Sequence, residues 1–239
     1  MPTTVGTGPC AADRPCSATR GPAVSVTSAD GTLKPAHVLT SARVEALLET
    51  LYRDVEGYRL SHRSRARLGL TARSYVYGET LVPAFEAAMA FAAPRAGERF
   101  LDLGAGVGRA LEVAALRYDF AHCHGLELLP ELVNAGRDAL AALPSLLTDA
   151  ERPRASRCVL EARSFLVGPL PPADVVYVMT AAFEPGLVDA IGALTGTLAA
   201  GTRLVAVGEP VPSVWMRPLG EVEGEMGWGA TRTFISVRT

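Results

Sequence analysis

The chain has 239 residues, with 23 basic and 25 acidic side chains, a formal net charge of -2 and hydrophobic residues making up 49%. That balance excludes the overall positive charge of a dedicated nucleic-acid binder, and sequence-specific nucleic-acid recognition is not expected. The length suits one α/β domain with flanking segments. Arg, Glu, Asp or Pro interrupts every apolar run before the roughly 18 to 20 residues of a membrane helix, so the chain reads as a soluble protein.

Residues 1–35 are rich in Thr, Ser, Pro, Gly and Ala and lack apolar periodicity, which predicts a disordered tail. Arg14 and Arg20 give it a faint transit-peptide character; Asp13, Asp30 and the missing amphipathic pattern count against one. Cys10, Cys16, Cys123 and Cys158 form no C-x-x-C pair. Cys123 reads as core. His122 and His124 flank it on one strand face with no supporting acid in sequence, so no metal site is expected.

A helix is expected from Thr40 or Ser41, with Ser41 as N-cap and Val44, Leu47, Leu48 and Leu51 at helical spacing, ending before Gly57. In the basic run Ser61 to Leu70 the arginines either line a groove or solvate a helix, and solvation is favoured. Residues 36–74 thus form a helical N-terminal segment, and residues 75–239 the main domain. Tyr77-Gly78-Glu79-Thr80 makes a polar turn, and the apolar stretch from Val82 to Phe91 predicts the next helix.

Phe100-Leu101-Asp102-Leu103 reads as a strand that turns through Gly104, Gly106 and Gly108 into a helix beginning near Arg109. Glycine permits positive φ and close approach of a ligand to the main chain, so the loop is expected to offer N–H donors. A second strand, Ala121 to Glu127, ends in an acid about 20 residues further on, where a carboxylate grips ribose hydroxyls. The glycines are two apart, unlike the G-x-G-x-x-G of dinucleotide binders. The loop resembles the first motif of class I S-adenosylmethionine (SAM) methyltransferases.

Taken in order, Tyr77-Gly78-Glu79-Thr80, a helix, and Phe100 to Gly108 resemble the catalytic domain of Dot1-type histone lysine methyltransferases and their Dot1-like relatives. The similarity runs from about residue 45 to the C-terminus. It implies SAM as cofactor and a protein lysine as acceptor, histone H3 in a nucleosome being the type case. By position, it implies that the loop Tyr77 to Thr80 folds over SAM, with Glu79 or Thr80 facing the methionine ammonium and carboxylate. Gly104, Gly106 and Gly108 would lie against the ligand, Asp102 would order the loop or the methionine amine, and Glu127 would bind the ribose.

Further along, a helix is expected from near Pro130 through Leu140, with a connection bracketed by Pro144 and Pro153. Cys158 to Ala162 reads as a third strand, and Ser164-Phe165 falls where the family has an acid followed by an aromatic. Adenine recognition then rests on Phe165, with Ser164 supplying a hydrogen bond but no charge. Ala173 to Met179 is a near-continuous apolar run, the mark of a parallel strand buried on both faces. Its end, Thr180-Ala181-Ala182-Phe183-Glu184-Pro185, lacks the paired asparagines of the Dot1 lysine channel. Thr180 is the nearest polar substitute for orienting an acceptor, although a threonine there also suits a helix cap. Phe183 matches the channel aromatic, and Tyr77 would complete the catalytic wall. Glu184 suits either a base or a solvated surface.

A helix from Leu187 to Leu198, a strand from Gly201 to Val207, a loop shaped by Pro210, Pro212 and Pro218, and a last strand from Arg232 to Val237 complete the chain. Trp228 either walls the acceptor pocket or anchors the final hairpin. The alternation after residue 95 predicts a doubly wound, Rossmann-like α/β sheet of the class I methyltransferase type with an antiparallel final hairpin. The function that the Dot1-like resemblance implies is methyl transfer to a protein lysine. The alternatives are a small molecule or another protein side chain as acceptor, which the missing asparagines favour, or an inactive SAM-binding protein.

Overall fold

The computed structural model describes residues 38–239; the tail read at residues 1–35 lies outside the described residues. Three helices come first: α1 (Ser41–Leu51), α2 (Gly57–Leu68) and α3 (Val82–Ala92). Thr40, not Ser41, caps α1, its hydroxyl accepting from the Arg43 N–H at 3.3 Å, while Ser41 donates to the Glu86 carboxylate at 2.8 Å. Val44, Leu47 and Leu48 form the buried stripe of α1. The basic run is part of α2, where Arg67 pairs with Glu131 at 3.0 Å.

The main domain is a seven-stranded sheet in the order β3-β2-β1-β4-β5-β7-β6. Its strands are β1 (Arg99–Leu103), β2 (His122–Glu127), β3 (Cys158–Ala162), β4 (Val175–Met179), β5 (Arg203–Val207), β6 (Met216–Met226) and β7 (Gly229–Arg238). The first five run parallel, and β7 enters antiparallel beside β5. Helices α4 (Arg109–Arg117), α5 (Pro130–Ala142), the single-turn α6 (Arg152–Ala155) and α7 (Pro185–Leu194) make the crossovers. Both faces are covered. Phe100, Cys123, Val175, Tyr177 and Val205 pack with α1, α3 and α4 on one side, and Leu101, Leu103, Val176, Val178 and Leu204 pack with Ile191 of α7 on the other. Burial on both sides explains why the central strands read as continuous apolar runs. No helix among the described residues is long and apolar enough to cross a membrane.

Three expectations need correction. Pro218, read as shaping a loop, lies within the 11-residue edge strand β6, Met216–Met226, the first strand of the expected hairpin. An edge tolerates proline, and the register of β6 shifts between Pro218 and Gly220, where the ladder is already interrupted. The helix expected over Leu187 to Leu198 begins at Pro185 and ends at Leu194, followed by a 3-10 turn. His124 does have an acid nearby, the Glu161 carboxylate at 3.0 Å, supplied by the neighbouring strand.

Candidate active site

In this strand order the chain reverses direction between β1 and β4, and the carboxyl ends of those strands open the crevice where α/β sheets bind ligands. A cleft lies there. Its lining includes Gly104 and Gly106 from the loop after β1, Glu127 and Leu129 after β2, Ser164 and Phe165 after β3, and Met179 and Phe183 after β4.

The glycine loop is built differently from the sequence expectation. Gly104 and Ala105 donate their N–H groups to the Leu126 carbonyl at 2.8 and 3.0 Å, Gly106 donates to Glu127 Oε2 at 2.8 Å, and Gly108 donates to the Ala105 carbonyl at 2.8 Å. These donors are spent on folding the loop against β2. What the loop provides to the cleft is room. Gly106 has φ +56°, and a Cβ there would lie 2.6 Å from Cε2 of Tyr77, so no other residue fits.

Tyr77 is buried, and its ring fills the space between Gly106 and Gly57, the first residue of α2. Its hydroxyl donates to Glu79 Oε1 at 3.0 Å, and the edge of Tyr58 packs on it with ring centroids 5.4 Å apart. Burial first, then the Glu79 charge, pushes the Tyr77 hydroxyl well up, so it stays a donor. Gly78 passes so close to Trp228 and Met179 that a Cβ would come within 2.8 and 2.9 Å of them. Trp228 therefore backs the Tyr77–Thr80 loop.

Glu127 lies on the cleft floor, 8% exposed. Its two oxygens accept from the N–H groups of Gly106 and Leu129, both at 2.8 Å. Burial raises its carboxyl, opposed by those backbone donors. Each oxygen keeps a lone pair for a hydroxyl. Asp102, 3% exposed, borders a narrow recess behind the Tyr77 loop, and burial followed by the Glu127 charge pushes it up to about 8.

Ser164 and Phe165 both line the cleft; Ser164 Oγ accepts from the Leu166 N–H at 3.2 Å, and the Phe165 ring stands 6.4 Å from Phe183, tilted by 30°. Two predicted residues are committed elsewhere. The Thr80 hydroxyl lies 2.7 Å from the Tyr177 hydroxyl, both groups buried. Thr180 is wholly buried and outside the cleft lining; its Oγ1 lies 2.9 Å from the Val207 carbonyl and 2.7 Å from that of Glu209, and accepts from the Glu209 N–H at 2.8 Å. It braces β4 against β5 instead of facing an acceptor. Gly108 borders Leu160 and Tyr52 at the back of the loop and not the cleft.

The structure adds residues that carry no motif in the sequence. Arg109, first in α4, reaches the recess beside Asp102, Glu79 and Thr80, with Nη1 3.6 Å from Glu79 Oε2 and the guanidinium 4.7 Å from the ring centre of Tyr52. Its place directly after the glycine loop is a signal of sorts, since a helix's first residues face the ligand that its N-terminus serves. Tyr52, at the end of α1, donates to the Val107 carbonyl at 2.8 Å and so props the loop from behind. Nothing in the sequence marks it, because the contact spans 55 positions.

Comparison with known proteins agrees with this architecture. The family model for histone methylation protein DOT1 matches residues 70–215. No curated protein matches the chain. Among solved structures it is similar to TrmN from Thermus thermophilus, at 18% identity and a TM-score of 0.54, covering 66% of this chain and 49% of that one. The chain thus spans about half the length of that protein. It is also similar to an RNA methyltransferase from Salinibacter ruber in complex with S-adenosyl-L-homocysteine, at 19% identity, TM-score 0.51, with 65% and 90% of the two chains covered. Magnesium protoporphyrin IX methyltransferase from Synechocystis PCC 6803, with bound SAM, aligns at 12% identity and a TM-score of 0.51 over 88% of this chain and all of that one. At these identities the likeness is one of fold.

Proposed function

This chain belongs to the family of DOT1 histone methylation proteins, and from that premise we propose that it is a SAM-dependent methyltransferase acting on a lysine of a histone-type protein. The observation that carries the cofactor reading is Glu127, clamped by the Gly106 and Leu129 N–H groups at the cleft floor with Phe165 nearby. Two free lone pairs on a buried carboxylate suit a ribose diol. Phe165 suits an adenine plane, Asp102 and Glu79 suit an ammonium, and the bare Gly104–Gly106 backbone leaves space that side chains would close.

When bound, SAM supplies a methyl group on a sulfonium, open to in-line attack by a lone pair. The residues of this chain have two tasks at that point. Gly78, Met179, Phe183 and Trp228 surround the acceptor side with apolar surface, which excludes water and suits the slender stem of a lysine. On the β6–β7 hairpin Glu223 lies beside Trp228 and Glu225 is exposed on the same strand, charges that favour a basic substrate, while Glu221 pairs with Arg232 at 3.8 Å.

A second reading is favoured by one observation. The Thr180 hydroxyl is committed to β5, no asparagine follows β4, and Glu184 is exposed and outside the cleft lining. That favours a small, largely apolar acceptor. The first test is calorimetric titration of S-adenosylhomocysteine (SAH) into the full chain, with Gly106→Arg as the variant that closes the cleft. Binding lost in the variant supports the cofactor site; labelled methyl transfer to nucleosomes, free histones and small amines then separates the two acceptor readings. A folded wild-type protein that binds no SAH would overturn the proposal.

A further inference from the structure

The outer strand of the sheet, β6, is paired on one side only, with β7. Its 11 residues are about twice the usual strand length. The hairpin turns through Gly227 and Trp228, so Met226 and Gly229 are the closing hydrogen-bonded pair. Hydrogen-bonded and open pairs alternate along an antiparallel ladder, and the register runs unbroken from Met226 back to Gly220. Gly224 and Val222 therefore bond β7 as well, while Glu225, Glu223 and Glu221 turn their N–H and C=O groups away from it. Among the described residues no other backbone group bonds to these three.

A run of outward backbone groups without proline is a template for an added strand. Charge decides what can occupy it. Glu221, Glu223 and Glu225 are exposed on one face of β6, and α3 covers the other, where Gly220 and Gly224 pack on Phe91 and Ala84. Arg232 offsets part of this charge, pairing loosely with Glu221 at 3.8 Å. A second copy of the chain, paired edge to edge around Glu223, would set Glu221 against Glu225 and Glu223 against itself, and like charges directly opposite are destabilising. A strand with basic residues at alternate positions gains where the copy loses. The position of the edge matters too. The Gly227 N–H donates to the Glu79 carbonyl at 3.3 Å, and the Trp228 ring packs on Gly78 beside the cleft. A chain laid along β6 and continuing past Trp228 therefore arrives at the acceptor side.

We infer that the Glu221–Glu225 edge takes an extended, basic segment of a protein substrate as an additional strand of the sheet and so leads the acceptor side chain past Trp228 to the cleft. This rests on the protein-acceptor reading above. The backbone bonds supply affinity for any extended chain, and the three carboxylates select a basic one.

The probe is a short fluorescent peptide of alternating lysine and threonine, followed by anisotropy on the full chain. An added strand bonds through alternate residues only. Backbone N-methylation of one set, all the lysines or all the threonines, should weaken binding about tenfold or more, while N-methylation of the other set leaves it within about twofold. Charge attraction alone would treat the two methylated peptides alike. In the protein, Glu223→Gln removes a charge and keeps the outward N–H, whereas Glu223→Pro removes both without costing β7 a bond. Binding should fall about threefold in the first and about tenfold in the second, with SAH affinity unchanged in both as the check on folding. Equal binding of the two methylated peptides, or of wild type and Glu223→Pro, would overturn the strand addition. So would a wild-type protein that methylates free histones without binding the peptide, an outcome that leaves the protein-acceptor reading standing. Methyl transfer to small amines alone would remove both.

Discussion

The ring of Tyr77 occupies the place that a side chain on Gly106 would need, with Cε2 2.6 Å from the position of that absent Cβ. Gly57 leaves the same ring its space from the other side. The Tyr77–Thr80 loop, the glycine loop and the start of α2 are therefore one packed unit, and a change in any of them is felt by the other two.

Gly57→Ala tests this unit without touching the cleft. On helix propensity alone alanine is favoured at the start of α2, yet its Cβ strikes the Tyr77 ring and displaces it toward Gly106. SAH affinity should fall by about tenfold, or roughly 1.4 kcal/mol, with the helix intact by circular dichroism. Gly106→Ala should cost more, roughly 1–3 kcal/mol of stability in addition, because φ is +56° there. Wild-type affinity in Gly57→Ala would show that Tyr77 is not held by α2.

Glu112 titrates in the wrong place for stability. It is wholly buried in α4, and the single Tyr52 hydroxyl proton beside it goes to the Val107 carbonyl, leaving both carboxyl oxygens without a partner among the described residues. Burial pushes it up to about 8, against the smaller effects of Tyr52 and Arg109. An unfolded chain loses this proton near pH 4.5, whereas the folded chain keeps it until about 8. Over that interval the native state binds more protons, so raising the pH favours unfolding, by up to roughly 1.4 kcal/mol per pH unit. Glu112→Gln should gain stability over wild type, increasingly from pH 5 to pH 8, in urea melts. Asp102 titrates in both proteins and cancels in the comparison. Parallel pH profiles would sink this account.

Glu127→Gln replaces four acceptor lone pairs with two acceptors and two donors. One of the Gly106 and Leu129 N–H groups then faces an amide donor and is left unpaired, at a cost of about 1–3 kcal/mol. The ligand's hydroxyls lose an acceptor as well. The expected outcome is a lower melting temperature together with loss of measurable SAH binding, whereas Glu127→Asp should bind weakly. A Gln variant that binds SAH as wild type does would remove Glu127 from the site.

The central sheet was legible because its strands are buried on both faces, and runs such as Val175 to Met179 have few other ways to fold. The Gly104–Gly108 turn was legible for a related reason: positive φ at Gly104, Gly106 and Gly108 demands a residue type that few other contexts require. The extent of the hairpin strand β6 was not. Its Glu-Val-Glu-Gly-Glu alternation exposes every second residue at a sheet edge, and a charged alternation with glycine and an upstream proline resembles a loop. Hydroxyl partners were also hidden, since the bonds of Thr80 to Tyr177 and of Thr180 to Val207 join residues far apart in the chain. Arg109 and Tyr52 meet across 57 positions of chain, a pairing that only the packing of α1 against α4 produces.

Thr180 gives the clearest separation between a structural and a chemical role. Its hydroxyl bridges the ends of β4 and β5, accepting from the Glu209 N–H and lying within bonding distance of the Val207 and Glu209 carbonyls. Thr180→Val keeps the shape and removes the bridge, leaving the buried Val207 carbonyl and the Glu209 N–H without this partner. Stability should drop by about 1–3 kcal/mol. Thr180→Ser, which keeps the hydroxyl, should lose less. If the residue only braces the sheet, the folded fraction of Thr180→Val will transfer methyl groups with kcat and KM close to wild type below its melting temperature. A fall in kcat alone, at unchanged SAH affinity and with Thr180→Ser restoring it, would instead return Thr180 to the acceptor side. The brace predicts that stability and kcat separate between the two variants, while an acceptor-orienting hydroxyl predicts that kcat follows the hydroxyl.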